Sequence, residues 1–138
     1  MRVKAIALVL VLLLPGFAAQ ADESRRAGIL EIIGAQLEAF QRDDAPAAFA
    51  FASPDIQAMF GTPDKFLKMV AEAYQPVYRP RAVTYLDLIE KNGRHVQRVL
   101  FTGPDGKQVL ALYMMARQPD GSWRIAGCVL VDSTGQAA

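Results

Sequence analysis

The feature that most narrows the fold is a punctuation pattern in the C-terminal half. Four runs rich in β-branched and aromatic residues, Arg81–Glu90, Arg94–Thr102, Lys107–Gln118 and Ser122–Asp132, are separated by Lys91-Asn92-Gly93, Gly103-Pro104-Asp105-Gly106 and Pro119-Asp120-Gly121. Pro-Asp-Gly suits a type I turn closed by a left-handed glycine, the three-residue hairpin loop with a bulge. The pattern therefore predicts a four-stranded antiparallel meander.

Turn chemistry also predicts register. If Gly103 pairs with Lys107 and Gln118 with Ser122, then Phe101 faces Val109, Val99 faces Ala111, Arg117 faces Trp123, Met115 faces Ile125 and Tyr113 faces Gly127. One sheet face then carries Val99, Phe101, Val109, Tyr113, Met115, Trp123, Ile125, Val129 and Val131; the other carries Leu100, Leu110, Leu112, Met114, Ala126, Cys128 and Leu130. Both are apolar, whereas a sheet with one solvated face alternates cleanly. Something must cover the second face: either the protein's own curvature and N-terminal helix, or a second copy in a homodimer packed sheet to sheet.

Upstream the periodicity is helical. Ile29, Ile32, Ile33, Leu37 and Phe40 recur at spacings of three and four, predicting an amphipathic helix from Ser24 to Arg42. Pro46 opens a short second helix, and Ser53-Pro54-Asp55 and Thr62-Pro63-Asp64 each combine a capping hydroxyl, a first-turn proline and a first-turn acid. These predict helices over Pro54–Phe60 and Pro63–Tyr74, with Phe49, Phe51, Phe60, Phe66 and Met69 as core. The prolines of Gln75-Pro76-Val77-Tyr78-Arg79-Pro80 predict an extended connector into the sheet.

The first 21 residues read as a cleavable export signal: cationic Met1–Lys4, an apolar run from Ala5 to Leu14, and Ala19-Gln20-Ala21 as the cleavage site. Pro15-Gly16 cuts the run short of the roughly 17 to 25 apolar residues a membrane span requires. No later segment is long and apolar enough to span, and no cysteine stands at the cleavage site to take a lipid. Removing 21 of 138 residues leaves 117, one domain of ordinary size, 22–138, with 13 Lys and Arg against 14 Asp and Glu. Scattered cations disfavour nucleic acid. The lone Cys128 cannot form an internal disulfide, so it is expected to be a buried structural thiol.

Helices followed by a curved antiparallel sheet resemble the cystatin-like α+β cone shared by ketosteroid isomerase, scytalone dehydratase and nuclear transport factor two. More closely, the chain resembles DUF4864, a family of bacterial secreted proteins, over roughly Ile29 to Leu130. The resemblance rests on Gln36-Leu37-Glu38-Ala39-Phe40 with Asp43-Asp44, Ala52-Ser53-Pro54, Phe66, Tyr74 with Pro76-Val77-Tyr78-Arg79-Pro80, and Asp120-Gly121-Ser122-Trp123-Arg124-Ile125 followed by Gly127-Cys128. It implies a pocket between helices and sheet and brings no catalytic residues with it; fold alone licenses no reaction.

Enzymes of that cone place a carboxylate or histidine against an apolar pocket beside a tyrosine or protonated acid. No catalytic residue is expected: Asp87 reads first as an acid on an outer strand pointing to water, and its alternation with Val83, Tyr85 and Ile89 makes it the candidate base only in the alternative. Asp132 reads as a strand-end cap and His95 as exposed or locally bonded. One histidine and one cysteine fall short of a metal site, and neither H-E-x-x-H, C-x-x-C nor a phosphate loop occurs, so no metal or cofactor is expected. Tyr74, Tyr78, Arg79 and Arg81 could aim phenols and guanidiniums at an anionic ligand, or could simply pack the helix-to-sheet corner. The expected function is non-catalytic binding of a small ligand or an envelope protein in the periplasm. The alternative is a cofactor-free isomerase or dehydratase using Asp87 with a tyrosine.

Overall fold

The computed structural model describes residues 16–132, so most of the leader, up to Pro15, lies outside the described residues. Five helices, α1 (Gly16–Gln41), α2 (Ala45–Ala50), α3 (Pro54–Phe60), α4 (Pro63–Ala73) and α5 (Gln75–Tyr78), precede four strands, β1 (Ala82–Lys91), β2 (Arg94–Thr102), β3 (Gln108–Arg117) and β4 (Trp123–Asp132). The strands form one antiparallel sheet in the order β1-β2-β3-β4, and the molecule is α+β as expected.

Helix α1 starts before Ser24, but residues 16–24 are all exposed. Its packing face comprises Ile29, Ile33, Leu37 and Phe40, each fully buried large side chain supplying about 1.5–3 kcal/mol of apolar transfer. The expected caps form: Ser53 Oγ accepts from Ile56 N (3.4 Å) and Thr62 Oγ1 from Lys65 N (3.3 Å). The stretch Gln75–Tyr78 is not extended but a one-turn helix with Pro76 in its first turn. There the missing N–H of proline would have had no intrahelical partner anyway, so proline starts a helix it could not continue.

Both C-terminal hairpins close as their turn residues dictate. Gly103 N donates to Lys107 O (2.9 Å) and Gln118 N to Ser122 O (2.8 Å), with Gly106 and Gly121 at φ of 80° and 86°. Phe101 faces Val109, Val99 faces Ala111, Arg117 faces Trp123 and Met115 faces Ile125. The pairing of Tyr113 with Gly127 does not form. A bulge at Ala126 shifts β4 by one residue, so Tyr113 faces Cys128 and Met114 faces Gly127. Because side chains alternate with period two, the slip exchanges faces from there on. Cys128 and Leu130 pack toward the helices, and Val129 and Val131 lie on the outer face opposite Leu112 and Leu110. On that outer face Leu110 and Val131 are buried, whereas Val129 is 44% exposed.

A second irregularity lies between Tyr85 and Leu88 of β1. Val83, Tyr85 and Leu88 pack on the core while Asp87 is turned out. The amide of buried Gln97 serves the irregular backbone, donating to Leu86 O (2.9 Å) and Asp87 O (3.3 Å). At the opposite edge the chain between α2 and α3 adds a short parallel bridge to β4, with Ile125 N on Phe51 O (2.9 Å) and Ser53 N on Ile125 O (2.8 Å). That bridge anchors α3 beside the upper half of β4 and leaves space between them.

Candidate functional site

The space is a cavity of about 270 Å³ between the helices and the β3–β4 hairpin. Phe66 of α4 anchors its aromatic wall, with ring centroids 5.6 Å from Phe49 and Phe60 and 6.2 Å from Phe40. Tyr113, Ile125, Gly127 and Cys128 contribute from the sheet, and Met59, Met69 and Met114 bring three adaptable thioethers. Met114 belongs to the outer-face set of β3 yet reaches the cavity over Gly127: a Cβ on Gly127 would stand 2.6 Å from Met114 Cε. The bare glycine is what lets that side chain pass.

Among the described residues no Asp, Glu, Lys, Arg or His lines the cavity; its polar members are Gln36, Tyr74, Tyr113 and Cys128. Gln36 Nε2 donates to Ala48 O (3.1 Å), and Tyr74 Oη donates to Cys128 O (3.1 Å), tying α4's end to β4. Burial pushes the Cys128 thiol up to about 12. Although a little of its surface stays accessible, it is held as a neutral thiol and is a poor nucleophile. The Tyr113 hydroxyl is wholly buried without a hydrogen-bond partner of normal geometry among the described residues. Desolvation first, then the adjacent Cys128 and Tyr85, holds its proton on far more tightly than in a free phenol.

The residues singled out from sequence divide sharply. Tyr74 is in the cavity wall. Tyr78 and Arg79 instead clasp the end of α1: Tyr78 Oη donates to Asp43 Oδ1, Arg79 donates to both Asp43 oxygens (3.1 and 3.0 Å) and to Phe40 O (2.6 Å), and its guanidinium stacks 3.9 Å above the Tyr78 ring. The Tyr78 hydrogen bond and, after it, the Arg79 charge hold the Asp43 carboxyl below its usual range. Asp43 sits at φ 52°, a left-handed turn that brings its carboxylate back toward the connector. Arg81 is exposed and joins the sheet through its backbone, N to Thr102 O (2.8 Å). These four side chains do not converge on one ligand.

Asp87 points away from the cavity and pairs with Arg98 at 2.5 Å, its side chain 58% exposed. That hydrogen bond, more than any other influence, lowers its pKa, the opposite of what a base in an apolar pocket requires. His95 is turned inward, its ring 5.0 Å from Trp123 in an edge-on contact, with Nε2 3.6 Å from Glu90 Oε2. Among the described residues no cluster of His, Cys, Asp and Glu could hold a metal ion.

The pair that sequence reasoning missed is Tyr113 with Cys128. Its signal was present: Gly127 inside an apolar strand marks a bulge, and a bulge there turns the thiol toward the only tyrosine of β3. No curated protein and no solved structure matches the chain. A family profile does, over residues 22–138, and the chain belongs to that family, described as a domain of unknown function (DUF4864).

Proposed function

We propose that the protein is a non-catalytic binder of a small apolar molecule, working in the bacterial envelope after export. The observation that carries this reading is the largely apolar cavity of about 270 Å³, lined among the described residues by aromatic and methionine side chains and by no charged group. It offers shape and dispersion to a ligand and supplies neither a base nor an activated nucleophile: Asp87 is committed to Arg98 outside it and Cys128 stays protonated. The isomerase or dehydratase alternative is thereby left without its proposed carboxylate.

Three observations support the export reading. The leader has the three zones of a signal peptide, residues 16–24 of α1 are exposed, and the family match starts at Asp22. Of the described residues, cleavage after Ala21 would remove only exposed ones, 16–21. A homodimer through the outer sheet face fits the exposure of Val129 beside Leu112.

Calorimetric titration of the purified protein with naphthalene tests the binding reading, and a Met69→Trp variant fills the cavity. Saturable binding by the wild type that the variant loses is the expected result. Equal behaviour of the two proteins would place any binding elsewhere and end the proposal.

A further inference from the structure

We infer that the cavity selects a compact neutral molecule carrying one hydrogen-bond-accepting oxygen, a ketone, ester or ether, which is held by the Tyr113 hydroxyl. The inference rests on the ligand-binding reading and adds the chemistry of the ligand.

Size comes first. An apolar cavity of about 150 Å³ admits benzene, and this one is about 270 Å³. Two fused rings or a branched chain of similar bulk fill it, with Met59, Met69 and Met114 adapting at the contacts.

Charge comes second. Among the described residues no ionisable cation or carboxylate lines the cavity, so an ionised ligand would forfeit its hydration without gaining a counter-charge. The arginines of the nearby connector are no remedy, since Arg79 is bound to Asp43 and Phe40 O and Arg81 is on the exposed surface.

Hydrogen-bonding capacity comes third. The donors in the wall are mostly spent: Tyr74 on Cys128 O and Gln36 on Ala48 O. Cys128 offers only a weak S–H. Tyr113 is the exception, a buried phenol that lines the cavity, makes no hydrogen bond of normal geometry among the described residues and has only the weakly accepting Cys128 sulfur beside it. A phenolic oxygen, whose lone pair is delocalised into its ring, is a better donor than acceptor. An unpaired buried donor is costly, and a ligand oxygen that accepts from it recovers that cost as affinity. A ligand lacking the oxygen gains the same apolar contacts and leaves the hydroxyl orphaned.

The test compares acetylnaphthalene with its isostere isopropenylnaphthalene, in which a carbon replaces the oxygen, and with naphthoate, using calorimetry at neutral pH on the wild type and on Tyr113→Phe. The wild type is expected to prefer the ketone over the isostere by about tenfold and naphthoate to bind at least about tenfold more weakly than the ketone. In Tyr113→Phe the ketone preference falls to within about twofold while the isostere binds as before. If ketone and isostere bind the wild type equally, if the preference survives in Tyr113→Phe, or if naphthoate binds as well as the ketone, this inference falls while the binding reading stands. If none of the three binds, the binding reading falls with it. Should Tyr113→Phe fail to fold, the three wild-type affinities still decide.

Discussion

Replacing Tyr113 with phenylalanine should stabilise the free protein, an unusual expectation for a core residue in the middle of a strand. The hydroxyl is removed from water on folding and, among the described residues, is given no hydrogen bond of normal geometry, only the weakly accepting Cys128 sulfur as a neighbour. Leaving such a group unsatisfied costs about 1–3 kcal/mol. Deleting one oxygen opens a void of roughly 10–15 Å³, which returns about 0.3 kcal/mol at about 24 cal/mol per Å³. The surrounding ring contacts, including Phe101 at 6.4 Å between centroids, are unchanged. The net expectation is a gain of about 1 kcal/mol or somewhat more, an increase in Tm of about 3–6 °C for a domain of this size. Thermal melts by circular dichroism, with urea titration to confirm that the m-value is unaltered, measure it directly. A loss of 1 kcal/mol or more would show that the hydroxyl is satisfied, by the Cys128 thiol or an enclosed water, and would remove the physical basis for its preference for a ligand oxygen.

Three further outcomes are expected. Burial pushes the Cys128 thiol up to about 12 from its ordinary 9.0; a raised folded pKa means that its contribution is fully present below pH 9 and is lost as pH rises toward about 12. Cys128→Ala should flatten the stability profile across that window in urea titrations, and an identical alkaline decline in the variant would refute the assignment. Val129→Lys places a charge on the outer sheet face; it should convert a dimer to a monomer in sedimentation equilibrium, and a wild type that already sediments as a monomer ends the dimer proposal. Expressed with its leader in a bacterial host, the protein should be recovered from the periplasm with Asp22 as its first residue by N-terminal sequencing, and an intact Met1 there would contradict processing.

What could be read from sequence followed the range of the interactions. Hairpin register depends on a few adjacent residues, so Gly106, Gly121 and the Asp105 and Asp120 side chains, which accept from Lys107 N and Ser122 N (both 2.9 Å), made most of the sheet legible. Helix caps were legible for the same reason. The misplaced pieces are those where distant chain decides. Arg79 and Tyr78 looked available because their partner Asp43 is 36 and 35 residues away. Asp87 points to water, as an acid on an outer strand is expected to, and the inward alternative drawn from strict alternation with Val83 and Tyr85 ignores the irregularity that Gln97, ten residues on, supports with its amide. The cavity was implied only by resemblance, since its wall joins residues from Gln36 to Cys128 that no local pattern groups together.

The bulge at Ala126 acts as a parity switch for the last strand. Every residue from Gly127 to Asp132 takes its allegiance, interior or exterior, from a single unit of chain length, not from its own character. Deleting Ala126 would leave Ile125 opposite Met115 and Cys128 opposite Tyr113 in an unbroken ladder, whereas drawing Ala126 into the ladder opposite Met114 would exchange the roles of Cys128 and Val129 and withdraw the thiol from beside Tyr113. In comparing related chains, a one-residue gap placed at Ala126 therefore keeps Gly127 to Asp132 on their own faces. The cavity keeps the same floor across such a gap, and alignments that place the gap elsewhere in the strand will equate residues that face opposite sides of the sheet.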